Sequence, residues 1–533
     1  MGGLAGRLRL PNGSASERPS NAPTNAPSRE GAIATHVPGQ DTDPDVGVVL
    51  RTPRGRWVLA ATVLGSAIVM LDSTVVNVAL PRLGEDLGAD FAGLQWVISA
   101  YTLTLASLIL IGGSLGDRFG RRRVFVIGTI GFAVASAVCA LAPTIEVLVI
   151  ARAAQGVAGA LLTPGSLAII EASFRPDDRG AAIGAWSGLG GVAAAVGPFL
   201  GGWLVQAASW RWVFLINLPV AVLVVWVARR HVPESRGAEV SGRLDYAGAV
   251  TGAVGLGLTT FGLIEARTWV GIAGVVALVG FVAVEARVRE PMLPLSLFRI
   301  RRFSVANAVT LVVYGALGVV FFLLGLVLQV AAGYPPVLAG AAMLPVTAIM
   351  LVFSSRAGAL AQRIGPRLPM TLGPVLIAAG LLLMTRITAT SSYLGSVLPA
   401  AVVFGAGLTL TVAPLTATVL ASVGPERAGI ASGVNNAVAR AAGLLAIASI
   451  PLVTGMDPMR MASPAALVDG FHRTMLLSAL LCLAGAAISA VGLREREVVA
   501  PEPAQPCFNC PIGAPPAVVY ATSGSGTGNT PPS

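Results

Sequence analysis

The chain has 533 residues, 54% of them hydrophobic and 12% charged, with a mean hydropathy of +0.77, which excludes an ordinary soluble domain and marks a polytopic membrane protein. All 36 of its Lys+Arg residues are arginine; without lysine there is no phosphate-binding P-loop and no route to ATP hydrolysis by this chain. The net charge of +10 is not a nucleic-acid signature, because the arginines flank apolar spans, where they orient a protein in a bilayer.

In chain order, residues 1–50 are polar, rich in Pro, Ser and Asn, and lack an apolar h-region, so a disordered cytoplasmic tail without a cleavable signal is expected. Apolar runs follow from Trp57 to Leu493, each near the roughly 20 residues that cross a bilayer. They predict fourteen spans near 57–80, 94–115, 123–142, 145–171, 180–205, 211–230, 244–265, 268–286, 303–331, 337–357, 368–386, 392–420, 427–450 and 473–493. The expected all-α organisation is a six-helix bundle over 51–235, two inserted helices over 236–290 and a second six-helix bundle over 291–497. A second disordered cytoplasmic tail is expected over 498–533. With the amino terminus inside, cytoplasmic connections and flanks hold 24 arginines and outer connections six; four more lie in the amino-terminal tail, and Arg152 and Arg440 fall within spans. That asymmetry fits the positive-inside rule and an even number of crossings. The longest outer connection, Pro451–His472, leaves no room for a catalytic domain.

Span 1 contains "IVMLDSTVVNVALP" (68–81), where Asp72 is the only charged residue between Arg56 and Arg82. Such a carboxylate costs roughly 2.5–3.5 kcal/mol at mid-membrane. Either Asp72 carries a proton, since burial penalises its charged form, or it is permanently paired with a buried arginine. Arg152, in span 4, does not give up its proton; it either stabilises a nearby deprotonated acid or holds its helix by bonding to carbonyls. Arg440, in span 13, has the same two readings. Span 5 carries small-xxx-small pairs at 184/188 and 197/201 and a helix-bending Pro198, so a closely packed hinge is expected there. Asp245 reads as an N-terminal helix charge, and Glu265 as an interfacial ion pair with Arg267 beside the anchor Trp269. Cys139 and Cys482 read as packing residues; Cys507 and Cys510 form a CxxC without a second pair, so no metal site and no cofactor are expected.

An internal echo links two loops. Gly113-x-Leu115-Gly-Asp117-Arg118-x-Gly120-x-Arg122 recurs, shifted by 245 residues, as Gly358-x-Leu360-Ala-Gln362-Arg363-x-Gly365-x-Arg367. Two related halves are implied, with spans 7 and 8 as an inserted hairpin. Only the first copy keeps a carboxylate, so only there is a charge-paired latch expected.

Together these stretches resemble the major facilitator superfamily, in its 14-span drug:proton antiporter branch, over about residues 52–497. "LDSTVVNVALP" (71–81) is similar to the branch's span-1 signature, "GDRFGRRR" (116–123) to the superfamily loop, and "RAAQGVAGA" (152–160) to the span-4 pattern. "GVAAAVGPFLGG" (191–202) resembles the span-5 antiporter motif, with Gly184, Gly197, Pro198, Gly201 and Gly202 in place and Ala193 where glycine is usual. "WRWVFLINLP" (210–219), "EPMLPLSLFRIRRF" (290–303) and "RAGIASGVNNAVARAAG" (427–443) look like further branch signatures.

The resemblance implies the major facilitator fold and proton-driven export of drug- or antibiotic-like molecules across a bacterial inner membrane, by a monomer with both termini cytoplasmic and no nucleic-acid partner. It implies Asp72, Asn77, Arg152 and Arg440 as coupling or substrate residues and Gly113, Asp117, Arg118, Gly120 and Arg122 as the loop latch. A cavity between spans 1, 4, 9 and 12 makes Asn307, Tyr314, Phe321 and Thr409 candidates by position. The rival readings are a dedicated exporter of an endogenous metabolite, lipid or siderophore, and a membrane enzyme or sensor. The latter would need a reactive cluster that His36, His231 and His472, far apart in sequence, do not supply.

Overall fold

A computed structural model describes residues 47–236, 245–288, 291–424, 427–454 and 463–493. The tail up to residue 46, the carboxy-terminal tail with Cys507 and Cys510, and part of the connection after Pro451 lie outside the described residues. Among the described residues, fourteen helices are long and apolar enough to cross a membrane: α1 Pro53–Leu87, α2 Phe91–Phe119, α3 Arg121–Leu141, α4 Ile145–Ser173, α5 Pro176–Ala207, α6 Trp212–His231, α7 Tyr246–Ile264, α8 Thr268–Glu285, α9 Arg301–Ala331, α10 Pro336–Ile364, α11 Arg367–Met384, α12 Tyr393–Ala421, α13 Gly429–Ala448 and α14 Pro464–Gly492. Helix is the form that satisfies every backbone group inside hydrocarbon. The chain is all-α among the described residues except for one isolated β-bridge, Val48 with Phe174. Through it Gly47–Leu50, at the end of the segment read as a tail, bond the turn between α4 and α5, and Leu50 N donates to Asp178 Oδ2 at 2.9 Å.

Short polar residues set the helix starts. Thr52, Asp90, Thr144, Ser392 and Ser463 each accept an otherwise unpaired backbone N–H of the following helix. Asp245 caps α7 in the same way, as its sequence position implied. Three ends differ from the expected spans by seven residues or more, one of them that of α10, which runs through Arg356 and Arg363 to Ile364 and not to 357. Helix α14 starts at Pro464, not near 473, because the Ser463 cap and Pro464 nucleate it and the Arg473–Asp469 pair at 2.8 Å keeps its first turns polar. Helix α1 runs on through Pro81 and Arg82 to a left-handed Gly88, with Arg82 bonded to Glu85.

Packing repeats with a shift of eight helices. The pairs α1/α5, α1/α6, α2/α4, α3/α4 and α3/α6 recur as α9/α13, α9/α14, α10/α12, α11/α12 and α11/α14. Contacts between the two sets are reciprocal, α2 with α13 and α5 with α10, joined by α1 with α9. The hairpin α7–α8 leans on α2 and α13, and α8 turns Trp269, Ile272, Val275, Val276 and Val279 outward, as a lipid-facing surface requires.

The sets close on each other at the face opposite the arginine-rich loops. There a Cβ on Gly202 would lie 2.3 Å from Pro336 O, and one on Gly340 2.1 Å from Pro198 O, so only glycine fits at either site. Gln329 Nε2 donates to Val78 O at 3.0 Å and Gln95 Nε2 to Ile447 O at 2.6 Å. Toward the arginine-rich face α2 and α13 stay in touch through Leu110 and Gly433, but Gly184 and Gly188 of α5 have nothing within 4 Å of a Cβ position.

Candidate functional site

Asp72 faces α4 from the middle of α1, and its side chain is 0% exposed. Arg152, two turns into α4 and also fully buried, bonds Asp72 Oδ2 through Nη1. Three residues on, and therefore on the same helical face, Gln155 donates from Nε2 to Asp72 Oδ1 at 2.8 Å and accepts from Arg152 Nη1 at 2.7 Å. Asn217, at the break within α6, donates from Nδ2 to Asp72 Oδ1 at 3.3 Å and to Ser136 Oγ at 3.2 Å. Ser136 also accepts from Gln155 at 2.8 Å, and Cys139 Sγ reaches Gln155 Oε1 at 3.7 Å.

Arg152 has further anchors. Its Nε donates to Val97 O at 3.1 Å, and its guanidinium lies 4.1 Å from the centre of the Tyr101 ring and 5.8 Å from that of Phe214. Five helices thus meet around one ion pair, whose carboxylate accepts bonds on both oxygens as an ionised group does. The pair is neutral overall. A change in the protonation of Asp72 would remove the charge that holds Arg152, so the cluster is able to turn proton binding into a change of contact between α1 and α4.

The other residues named from sequence fall elsewhere. Asn77 donates to Ser73 O of its own helix at 2.9 Å and does not join Asp72. Arg440, on α13, is half-buried, with its Nε buried and unbonded. Asn307 and Thr310 of α9 both accept from Asn435 Nδ2 of α13, at 3.1 and 2.7 Å. Thr409 is bonded to Gly405 O within α12, and Phe321 is half-buried.

The loop after α2 pairs differently from its expected latch. Asp117 binds Arg121 at 2.7 Å, not Arg118 or Arg122; Arg118 lies over the Phe119 ring. Arg122 donates to Val232 O at 3.1 Å and pairs with Glu234, whose carboxylate stands 2.8 Å from a Cβ on Gly120, where φ is +109°. Gly113 packs on Pro164 at 3.6 Å. In the second copy Arg367 donates to Ala490 O at 2.9 Å and Gly365 has φ +85°, so both loops tie to the end of the sixth helix of their own set. Within α5, Gly197 and Gly201 meet Thr74 and Val75 of α1, and Gly202 meets α10. The partner of Glu265 is Trp96 Nε1 at 2.9 Å, not Arg267, because α7 leans on α2.

Gln155, Ser136, Asn217, Tyr101 and Asn435 were not singled out from sequence. The i, i+3 spacing of Arg152 and Gln155 on an apolar helix was the available signal, and Asn217 is the lone amide of "LINLP". No group of three or more His, Cys, Asp or Glu able to hold a metal occurs among the described residues.

A family model of the Major Facilitator Superfamily matches residues 62–447. The puromycin resistance protein pur8 of Streptomyces alboniger is 38% identical over 439 residues, covering 78% of this chain and 86% of that protein. The tetracenomycin C resistance and export protein of Streptomyces glaucescens is 34% identical over 424 residues, covering 76% and 78%. A solved bacterial homolog of the human lysosomal transporter Spinster, inward-facing and unoccupied, aligns with a TM-score of 0.60 at 17% identity over 83% of this chain and 97% of its own, a likeness of fold alone.

Proposed function

We infer that this chain, which belongs to the major facilitator superfamily, exports drug- or antibiotic-like small molecules and draws on a proton gradient to do so. The export reading is carried by relatives named for resistance and export over more than three quarters of the chain. Coupling through Asp72 is supported by a buried carboxylate whose charge is the main hold on a buried arginine. In this proposal the protein works as a monomer in a bacterial inner membrane, with the arginine-rich loops and both termini in the cytoplasm. The halves 51–235 and 291–497 rock about the cavity while 236–290 follows as an accessory hairpin.

The geometry then supplies a cycle. With the opposite face closed by Gly202 and Gly340 and the arginine-rich half of α5 uncovered, substrate enters from the cytoplasmic side while Asp72 is ionised and bound by Arg152, Gln155 and Asn217. After reorientation, protonation of Asp72 from outside frees Arg152, and the altered α1–α4 contact favours substrate release and return. The test is transport in proteoliposomes under an imposed pH gradient, across a panel of dyes and antibiotics. Asp72→Asn should abolish gradient-driven transport while the purified protein remains monodisperse and binds substrate. Unchanged coupled transport in that variant removes Asp72 from the mechanism.

A further inference from the structure

Away from the helix ends, the described residues of the two six-helix sets carry three charges that are not exposed, Asp72, Arg152 and Arg440; Arg356 is exposed and bonds Val352 O of its own helix, and Arg473 is exposed and paired with Asp469. The first two cancel, and Asp72 is saturated by Arg152, Gln155 and Asn217. Arg440 has no such partner. Among the described residues it makes no ion pair and no hydrogen bond, and its Nε is buried without an acceptor. The remaining carboxylates stand at helix ends or in loops, among them Asp117, Glu171, Glu265, Glu285 and Asp469.

The surroundings of Arg440 say where it points. Helix α13 packs on α9 and α2, and Arg440 lies two turns beyond Gly433, on the helical face that meets Leu110 of α2. It therefore faces the space between the two halves and not lipid. Tyr101 of α2 is buried in the coupling cluster, with Arg152 4.1 Å from the centre of its ring. The wall thus presents an uncompensated guanidinium, with net charge +1. An unpaired charge inside a membrane is costly and is kept where something pairs with it.

We propose that the central site takes an anionic group, a carboxylate, phenolate or enolate on an amphipathic small molecule, with Arg440 as its counter-ion. This names the substrate class within the export reading and rests on it. An acidic substrate neutralises the cavity, whereas a cationic one adds to its positive charge. Arginine suits the task because it stays charged and offers a planar fork of donors to two oxygens at once.

Two dyes of one ring skeleton and opposite charge test this: fluorescein, an anion, and rhodamine 123, a cation. Binding to the purified full chain in phosphatidylcholine nanodiscs, read by fluorescence anisotropy, avoids competition from anionic lipid. Wild type should bind fluorescein at least tenfold more tightly than rhodamine 123. Arg440→Gln should remove most of that preference, and Arg440→Lys, which keeps the charge and guards against a folding defect, should retain part of it. A wild-type preference for rhodamine, or an unchanged ratio in Arg440→Gln, overturns the anion site. The same proteins in dye-loaded proteoliposomes separate the two claims. If either dye is exported but Arg440→Gln alters nothing, export stands and the anion site falls. If fluorescein binding requires Arg440 yet neither dye crosses the bilayer, the anion site stands and export falls.

Discussion

At the scale of single residues the site is a balance of one carboxylate against one guanidinium, and removing either side has unequal consequences. Arg152→Ala would leave Asp72 buried with only two amides, and breaking a buried pair by deleting one partner costs about 3–5 kcal/mol. Gln155→Leu keeps the ion pair but strips bonds from Asp72 Oδ1 and Ser136, a loss of about 1–3 kcal/mol. Thermal unfolding in detergent should therefore rank wild type above Gln155→Leu and both above Arg152→Ala; equal stabilities would mean that the pair is solvated. The two charged members were legible because a charge in an apolar run is conspicuous. Gln155, Asn217 and Ser136 were not, because an uncharged polar residue in a membrane helix has many uses and only the fold shows that these three gather around one ion pair.

Among the elements, the repeated loops are informative because their glycines are alike in backbone and unlike in surroundings. Both Gly120 and Gly365 occupy positive φ, which costs a residue with a side chain about 1–3 kcal/mol. A Cβ on Gly120 would also meet the Glu234 carboxylate at 2.8 Å and disturb its pairing with Arg122, whereas a Cβ on Gly365 would meet nothing within 4 Å. Gly120→Ala should lower thermal stability more than Gly365→Ala, and the extra loss should vanish in a Glu234→Ala background. An extra loss that persists there would assign it to the backbone. The sequence exposed this repeat through its spacing of Gly and Arg, but not that Arg121 would take Asp117 or that Arg122 would reach Glu234, since several arginines lie within reach of one acid. Span bounds were missed where a helix runs on past its apolar stretch: α1 continues through Arg82, α10 through Arg356, and α14 begins with Asp469, His472 and Arg473, which looked like a loop and instead form its polar first turns.

For the molecule as a whole, the eight-helix shift in packing makes α2 with α13 and α5 with α10 equivalent seams, each available for opening at one face. Helix α5 differs along its length in a way that fits such motion. Its Gly197, Gly201 and Gly202 are in hard contact with α1 and α10, while Gly184 and Gly188 meet nothing. The sequence showed both small-residue pairs but not which was engaged, because that depends on the state of the seam. If the seam alternates, the two ends should respond oppositely to bulk. Gly340→Leu inserts a side chain where Pro198 O stands 2.1 Å from the Cβ position, so it should force open the face away from the arginine loops. Gly184→Leu should fit the present arrangement and obstruct the opposite one. With spin labels on the ends of α5 and α10, pulsed electron resonance should give longer distances at the sealed face in Gly340→Leu, and an unchanged distribution but little transport in Gly184→Leu. A wild-type distribution together with full transport in both variants would mean that α5 does not form the moving seam.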